Sequence, residues 1–244
     1  MGLDDVTWSR RAFLAMSSGT IALAGEARAE GSVMPHVVLL GDSIFDNAAY
    51  VGGGPDVITQ LREKLPASWR ATLGAVDGST MPDINGQLNN LPSDATHLVV
   101  SIGGNDVLGQ SAILGAASHS VADTLLKLAD IQAAFRSAYV RTIESVLRRK
   151  LPAAFCTIYH PRYPDPVERR VATTALAVIN DCIVREVVAR DLPLVDLRVV
   201  CNEDSDLANP IEPSVQGGGK IATAIAALVS EHDFSSRRSV VFAR

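Results

Sequence analysis

The stretch that decides the fold reads His36-Val37-Val38-Leu39-Leu40-Gly41-Asp42-Ser43, followed by Ile44-Phe45-Asp46-Asn47. A short apolar run that ends at a glycine and a polar tip is typical of a buried parallel strand. Open α/β sheets bind their ligands at the carboxyl ends of such strands. Ser43 is therefore predicted to lie at the functional edge of a sheet, although Gly-Asp-Ser by itself is also an ordinary turn.

Four more apolar runs follow along the chain and alternate with helical patterns. The runs cover residues 69–76, 97–102, 153–159 and 192–199. Between them, apolar residues recur at helical spacing, as in Val57, Ile58, Leu61 and Leu65. Five strands that alternate with helices predict an α/β fold, a three-layer α/β/α sandwich with a five-stranded parallel sheet and right-handed crossovers.

Composition limits the class of protein. The 244 residues are 47% hydrophobic, which is enough for one large core, and we expect a single domain over residues 30–232 with a polar tail over 233–244. The formal net charge of −5 argues against a nucleic-acid surface, which needs clustered lysine and arginine. The sequence does not indicate an oligomeric state.

The first 29 residues are predicted to be an export signal. A twin-arginine pattern, Ser9-Arg10-Arg11, precedes a weakly apolar stretch and then Ala27-Arg28-Ala29, a small-residue cleavage site. This order resembles a bacterial Tat signal, so we expect a periplasmic or secreted protein. No later segment reaches the roughly 18 apolar residues of a membrane span, so no stable membrane insertion is expected after cleavage.

The three cysteines, Cys156, Cys182 and Cys201, leave two possibilities open. One disulfide could form in an oxidising compartment with one thiol left over, or all three could be buried as small hydrophobic residues. No cysteine–histidine cluster has zinc spacing, and neither a P-loop nor a dinucleotide fingerprint occurs. We therefore expect no metal site and no organic cofactor.

The second and third strand tips also carry residues suited to a reaction. Gly78 follows the second run, and a glycine there lets a backbone N–H approach a ligand closely. Gly104-Asn105-Asp106 follows the third, where an asparagine amide can donate to an oxyanion. Plain turn chemistry explains either position equally well when it is taken alone.

Taken together, Gly41-Asp42-Ser43-Ile44, Gly78 and Gly104-Asn105-Asp106 resemble the first three sequence blocks of the SGNH (GDSL-type) hydrolase superfamily. The resemblance covers nearly the whole chain after residue 30 and implies a flavodoxin-like sheet of order 2-1-3-4-5. It also implies that Ser43 is the nucleophile. The backbone N–H groups of Ser43 and Gly78 and the Asn105 side chain would then form the oxyanion hole.

The fourth block departs from the family pattern. The family carries Asp-x-x-His-Pro before its last helix, in which the histidine is the general base and the aspartate orients it. This chain has Asn209-Pro210-Ile211-Glu212-Pro213 instead. The alignment places Glu212 where the histidine belongs and Asn209 where the aspartate belongs.

Three hypotheses account for this departure. In the first, Glu212 is the base, because desolvation can raise a carboxyl pKa toward neutrality and a neutral Asn209 does not repel it. In the second, His160 at the fourth strand tip is the base. In the third, the site has lost catalysis and the protein is a silent ligand- or carbohydrate-binding module.

The first hypothesis is the one we adopt for prediction. It describes a serine hydrolase that cleaves a carboxylic ester or lactone through an acyl-enzyme on Ser43. Because a carboxylate is a weak base, reactive substrates such as lactones, activated esters or acetyl esters are expected. Asp46 and His160 are predicted to contact the substrate, although the helix dipole explains an acidic Asp46 equally well.

Overall fold

A parallel sheet forms the centre of the molecule. The computed structural model describes residues 34–236 and 238–243. Its six strands have the spatial order β2-β1-β3-β4-β5-β6, and every neighbouring pair is parallel. The strands are β1 (His36–Gly41), β2 (Arg70–Leu73), β3 (His97–Ser101), β4 (Ala153–Cys156), β5 (Leu194–Val195) and β6 (Val241–Phe242).

Helices connect the strands and form the two outer layers. The helices are α1 (Val57–Lys64), α2 (Ile84–Asn89), α3 (Gly104–Leu108), α4 (Val121–Leu147), α5 (Pro166–Val188), α6 (Leu197–Val200) and α7 (Val215–Glu231). Short 3₁₀ turns add Ala48–Tyr50, Met81–Asp83, Ser111–Gly115 and Asp204–Asp206. The predicted α/β class and the parallel sheet are confirmed.

Strand β1 shows how the sequence builds two cores. Val37 and Leu39 face a cluster that includes residues of α1 and α7, whereas Val38 and Leu40 face one that includes residues of α2, α4 and α5. Side chains alternate between the faces of a strand, so a fully apolar strand needs a helical layer on each side. This arrangement is the predicted three-layer sandwich.

The predicted strand number was one too low. The stretch predicted to be a polar tail contributes β6, which pairs with β5 at residues 241 and 242. Phe234 and Phe242 from the same stretch pack against the core beside α1 and α7. Phe234 and Phe242 are too few to give a periodic pattern in this polar segment. Their packing nevertheless holds the segment at the edge of the sheet.

The fifth strand is shorter than predicted. Only Leu194 and Val195 pair with β4, and α6 begins at residue 197. The Asp196 carboxylate accepts a hydrogen bond from the Arg198 N–H and caps this helix. An apolar run that contains an Asp can thus change from strand to helix where the carboxylate satisfies free N–H groups.

Strands β1 and β3 approach each other closely at Gly41. Its φ of +139° lies outside the range that other residues adopt readily, and a Cβ there would lie 1.7 Å from the Ser101 carbonyl oxygen. Only glycine allows β1 and β3 to approach at the point where β1 delivers Asp42 and Ser43.

Cys156, Cys182 and Cys201 are buried and free, which decides between the two possibilities for the thiols. The predicted signal over residues 1–29 lies outside the described residues. None of the described helices is long and apolar enough to cross a membrane.

Candidate active site

Ser43 lies in the turn that directly follows β1, and the turn is stabilised from within. The Phe45 and Asp46 N–H groups donate to the Asp42 carbonyl oxygen, and the Ile44 N–H donates to Asp42 Oδ1 at 3.1 Å. Ser43 is buried, with 7% of its surface exposed. Its own N–H makes no hydrogen bond among the described residues, so this donor is free to bind a ligand.

The loop that carries Gly78 is held on both sides of the glycine. The Asp77 N–H donates to Asp46 Oδ2 at 2.9 Å, and the Ser79 carbonyl accepts from Asn105 Nδ2 at 2.9 Å. Gly78 has a φ of +80°, and its N–H also lacks a partner among the described residues. Two free N–H donors thus belong to loops that hydrogen bonds tie to the β1 turn.

Asn105 lies in the first turn of α3, directly after β3. One proton of its Nδ2 is donated to the Ser79 carbonyl oxygen. The amide carries a second proton. Asn105 lines the same cavity as Ser43, so this second proton is available to an oxyanion formed there.

Glu212 is buried and lines the same cavity as Ser43. Burial raises the pKa of its carboxyl, the Ser43 hydroxyl interacts with the carboxyl and lowers the pKa in part, and the Asp77 charge raises it. Its Oε2 atom is buried without a hydrogen-bond partner. The site therefore holds an unpartnered acceptor oxygen on a side chain that interacts with the Ser43 hydroxyl.

Several hydrogen bonds fix the loop that carries Glu212. Tyr159 Oη donates to the Ile211 carbonyl at 2.5 Å, and Asn47 Nδ2 donates to the Pro213 carbonyl at 3.1 Å. The Glu212 carbonyl itself accepts from the Ala208 N–H. The carboxyl therefore extends from a backbone that is tied to the β1 turn on one side and to β4 on the other.

Asn209 acts on the backbone of this loop rather than on the Glu212 carboxyl. Its Oδ1 accepts from the N–H groups of Ile211 at 3.0 Å and Glu212 at 2.9 Å, and the residue is exposed. Such an Asx turn sets the direction of the chain. The sequence alignment alone did not predict this geometry.

A second carboxyl shares the site. Asp42 is 2% exposed, and its Oδ2 has no hydrogen-bond partner. Burial raises its pKa to about 7, against the Ile44 hydrogen bond that lowers it, and the charges of Glu212 and Asp106 raise it further. Near neutral pH, Asp42 is thus partly protonated.

Asp46 and His160, like Gly78 and Asn209, are not among the residues that line the cavity. Asp46 accepts the Asp77 N–H and so holds the Gly78 loop. His160 is half-buried, and burial lowers its pKa, as do the nearby charges of Arg198 and Arg162. The structure brings Ser43, Asn105 and Glu212 to one cavity but leaves His160 outside it.

The cavity has a volume of about 720 Å³ and opens between the strand tips and the outer helices. Asp42, Ser43, Asn105 and Glu212 lie at one part of its wall, and the 3₁₀ turn of residues 111–115 forms another. A pocket of this size suits a small organic ligand.

Sequence reasoning did not predict the role of Gln87, a buried residue on α2. Its Nε2 donates to the Gly41 carbonyl at 2.7 Å, and its Oε1 accepts from the Gly41 N–H at 2.8 Å. Nε2 also contacts the Ser79 hydroxyl at 3.2 Å, which connects β1 to the Gly78 loop. A polar residue among apolar helix positions was the only available signal.

The described residues contain no group of side chains arranged to bind a metal ion. Over residues 34–236 and 238–243, no three His, Cys, Asp or Glu side chains are grouped as metal ligands would be. The polar groups at the strand-tip part of the cavity include the Ser43 hydroxyl, the Asn105 amide and the carboxyls of Asp42 and Glu212. They can exchange a proton and hold an oxyanion.

Comparison with known proteins identifies relatives of this arrangement. The model of the GDSL-like lipase/acylhydrolase family matches residues 39–217. Comparison with curated protein sequences gave no match.

Solved structures show the same fold at low identity. An extracellular lipase from Streptomyces rimosus has a TM-score of 0.60 and 14% identity over 81% of this chain and 100% of that one. A phospholipase A1 from Streptomyces albidoflavus has a TM-score of 0.57 and 15% identity, covering 82% and 100%. A lipase/acylhydrolase from Enterococcus faecalis has 0.56 and 20%, covering 80% and 95%.

Proposed function

Because the chain belongs to the GDSL-like lipase/acylhydrolase family, we propose that it hydrolyses carboxylic esters or lactones through an acyl-enzyme on Ser43, with Glu212 as the general base. The observation that carries the proposal is that Ser43 and Glu212, both buried, line one cavity, and that Glu212 Oε2 has no hydrogen-bond partner. Family membership alone supports only the general reaction class. The base is an inference from the geometry.

The first half of the reaction forms an acyl-enzyme. The Glu212 carboxylate takes the proton of the Ser43 hydroxyl while Ser43 Oγ attacks the carbonyl carbon. The carbonyl oxygen becomes an oxyanion, to which the N–H groups of Ser43 and Gly78 and the Asn105 amide can donate. The C–O bond of the ester then breaks, and the leaving alkoxide receives the proton from Glu212.

The second half regenerates the enzyme. Glu212, ionised again, takes a proton from water, and the resulting hydroxide attacks the acyl carbon. Collapse of the second tetrahedral intermediate breaks the bond to Ser43 Oγ, which recovers its proton from Glu212. The carboxylic acid leaves, so the cycle consumes one water and needs no other reactant.

Glu212 suits this role because its pKa is raised. An ordinary glutamate, with a pKa near 4.3, is a poor acceptor for a hydroxyl proton. Burial makes the charged form less stable, and the carboxylate is therefore more basic than that of an exposed glutamate. An aspartate at position 209 would add a second negative charge to this loop, whereas Asn209 adds none.

The test compares the wild-type protein with Ser43→Ala on p-nitrophenyl acetate and a set of small γ-lactones. We expect the substitution to lower kcat/KM by about 10³-fold or more, because no other group replaces the nucleophile. Equal rates for the two proteins would contradict the proposal and favour a silent binding module. Unchanged thermal unfolding of Ser43→Ala serves as the control for folding.

We also propose that the protein is exported from the cytoplasm. The predicted Tat signal over residues 1–29 supports export to the periplasm or the medium.

A further inference from the structure

Every charged side chain that lines the active-site cavity is acidic. Asp42 and Glu212 belong to its strand-tip part, and Asp165 and Glu168 belong to the N-terminal end of α5. In the part of the chain that the structure describes, no lysine, arginine or histidine lines the cavity. The wall therefore carries charge of a single sign, and a cleft with low-dielectric walls concentrates the field of such charges.

The two buried carboxyls lack a partner that would compensate their charge. Asp42 and Glu212 are 2% and 6% exposed. Asp42 Oδ2 and Glu212 Oε2 have no hydrogen-bond donor among the described residues. Burial of a carboxyl without a hydrogen-bonding or cationic partner is unfavourable. A ligand that brings positive charge into the cavity would offset this cost.

The start of α5 brings two exposed carboxyls and an aromatic ring to the same cavity. Asp165 and Glu168 are exposed, Tyr163 is half-buried, and all three line the cavity. Asp165 Oδ1 accepts from the N–H groups of Val167 at 2.9 Å and Glu168 at 2.8 Å, so it caps the helix. Burial raises the pKa of Tyr163, and the charge of Glu168 raises it further. Carboxylates attract an ammonium ion by charge, and an aromatic ring attracts it through its face.

The dipole of α5 explains only part of this arrangement. Acidic residues are favourable in the first turn of any helix, but the two buried carboxyls belong to other loops. Arg162 and Arg169 form ion pairs with Asp204. Arg170 is exposed, and none of these three arginines lines the cavity. The single sign of the charge is therefore a property of the cavity and not of one helix.

From this arrangement, and resting on the proposed ester hydrolysis, we propose that the substrate is an ester with a cationic ammonium group, which binds in the cavity beside Tyr163, Asp165 and Glu168. An ester that carries a second, ionised carboxyl group is excluded by the same charges. The carboxylic acid formed by hydrolysis is ionised near neutral pH, so the field of the cavity also favours its release.

Three p-nitrophenyl esters of matched shape test the sign of the charge. They are the 4-(trimethylammonio)butanoate, the 5,5-dimethylhexanoate, whose tert-butyl group is the neutral isostere, and the anionic monoester of glutaric acid. We expect kcat/KM, divided by the rate of uncatalysed hydrolysis, to be about tenfold higher for the cationic than for the neutral ester and at least tenfold lower for the anionic one. Salt at about 0.5 M should reduce these differences, because it screens the exposed carboxylates.

A second pair of esters places the ammonium group on the alcohol. Butyrylcholine is compared with 3,3-dimethylbutyl butanoate, its neutral isostere. The larger preference for the cation, in this pair or in the first, shows which half of the ester carries the ammonium group. Equal rates for the cationic and the neutral ester in both pairs, or a preference for the anionic ester, would overturn the proposal.

Glu168→Lys reverses one charge of the cavity, and Glu63→Lys is its matched control, since Glu63 is exposed on α1 and does not line the cavity. Asp165 is left unchanged because it caps α5. We expect the cationic-to-neutral ratio of kcat/KM to fall at least fivefold in Glu168→Lys and to stay at the wild-type value in Glu63→Lys. Thermal unfolding checks that both variants fold. An equal ratio in the two variants would contradict a cation site at α5.

Direct binding to Ser43→Ala distinguishes failure of this inference from failure of the proposed function. In calorimetric titrations, phenyltrimethylammonium should bind at least tenfold more tightly than benzoate. If Ser43→Ala abolishes the hydrolysis of p-nitrophenyl acetate but phenyltrimethylammonium binds no better than benzoate, the ester hydrolase stands and the cation site falls. If no ester is cleaved but phenyltrimethylammonium is preferred, the proposed function fails and the cation site alone remains.

Discussion

At the scale of single residues, the active-site cavity is unusual in holding two buried carboxyls, Asp42 and Glu212, each with one oxygen that lacks a hydrogen-bond partner. Burial raises the pKa of both, and the charge of Glu212 raises that of Asp42 further. Two adjacent carboxyls rarely ionise together, so one of them tends to keep its proton. The proposed reaction requires the ionised form at Glu212, which lines the cavity together with Ser43.

The pKa of about 7 at Asp42 predicts a stability effect of defined sign. A carboxyl whose pKa is higher in the folded than in the unfolded protein favours folding less as pH rises, because the unfolded state releases its proton first. The free energy of unfolding should therefore fall between pH 4 and pH 8. In Asp42→Asn this fall should be smaller, by a difference on the order of 4 kcal/mol for a shift of this size.

Urea unfolding at several pH values measures this difference. Asp83→Asn is the matched control, because hydrogen bonds from Thr80 lower the pKa of Asp83 and its contribution to stability is lost only as pH falls through that low pKa. Asp83→Asn should thus keep the wild-type slope above pH 5. A wild-type slope in Asp42→Asn would show that Asp42 titrates normally.

The sequence predicted residue roles unevenly. Ser43, Gly78 and Asn105 could be proposed from the sequence because each follows an apolar run predicted to be a strand, and strand ends converge at one edge of a parallel sheet. Asp46 could hydrogen-bond its loop or contact a polar substrate, and in the structure its Oδ2 accepts the Asp77 N–H beside Gly78. Such hydrogen bonds join residues about 30 positions apart, and no local pattern in the sequence encodes them.

At the scale of structural elements, the site depends on three loops that hydrogen bonds tie together. The β1 turn is joined to the Gly78 loop through Asp46 and Gln87, and to the Glu212 loop through Asn47. Asn47 is fully buried, and its Oδ1 also accepts from the Val57 N–H at 2.9 Å, which connects the turn to the start of α1. A single side chain thus joins elements that lie 10 and 166 residues away.

Asn47→Ala should therefore affect stability and activity together. The substitution leaves the Val57 N–H and the Pro213 carbonyl without their partners, and we expect a loss of about 2–4 kcal/mol in the free energy of unfolding. Release of the Glu212 loop should also lower kcat on p-nitrophenyl acetate. Chemical denaturation and steady-state kinetics measure the two effects.

Asn89→Ala provides the comparison for Asn47→Ala. Asn89 is exposed and its Oδ1 accepts only from the Arg149 side chain, so its loss should cost less than about 0.5 kcal/mol. If Asn47→Ala is as mild as Asn89→Ala, the coupling of the two loops through Asn47 is wrong.

At the scale of the whole molecule, the order of strands and helices was predictable because each element carries its own periodicity. The exceptions were β6 and the short β5, since two paired residues cannot produce a periodic pattern. The base could be proposed only by alignment with a family motif that this chain does not keep. Whether Glu212 faces Ser43 depends on the position of a loop that precedes α7, and packing sets that position.

The fold brings Glu212, the proposed base, to the cavity that holds Ser43, the proposed nucleophile. The alternative base, His160, follows strand β4. The two candidate bases predict a loss of activity at low pH that is governed by different groups. If Glu212 is the base, activity falls as the pH drops below the pKa of its carboxyl, which burial raises. If His160 is the base, activity falls as the pH drops below the pKa of its imidazole, which burial lowers. Because the two pKa values approach each other, substitution separates the bases more clearly than pH alone.

The most direct measurement is the pH dependence of kcat/KM for p-nitrophenyl acetate in the wild type, Glu212→Gln and His160→Ala. We predict that Glu212→Gln lowers kcat/KM by about 10²–10⁴-fold and removes the acid limb, whereas His160→Ala keeps both the rate and the limb. A Glu212→Gln protein with the wild-type rate and limb, together with an inactive His160→Ala, would contradict the account.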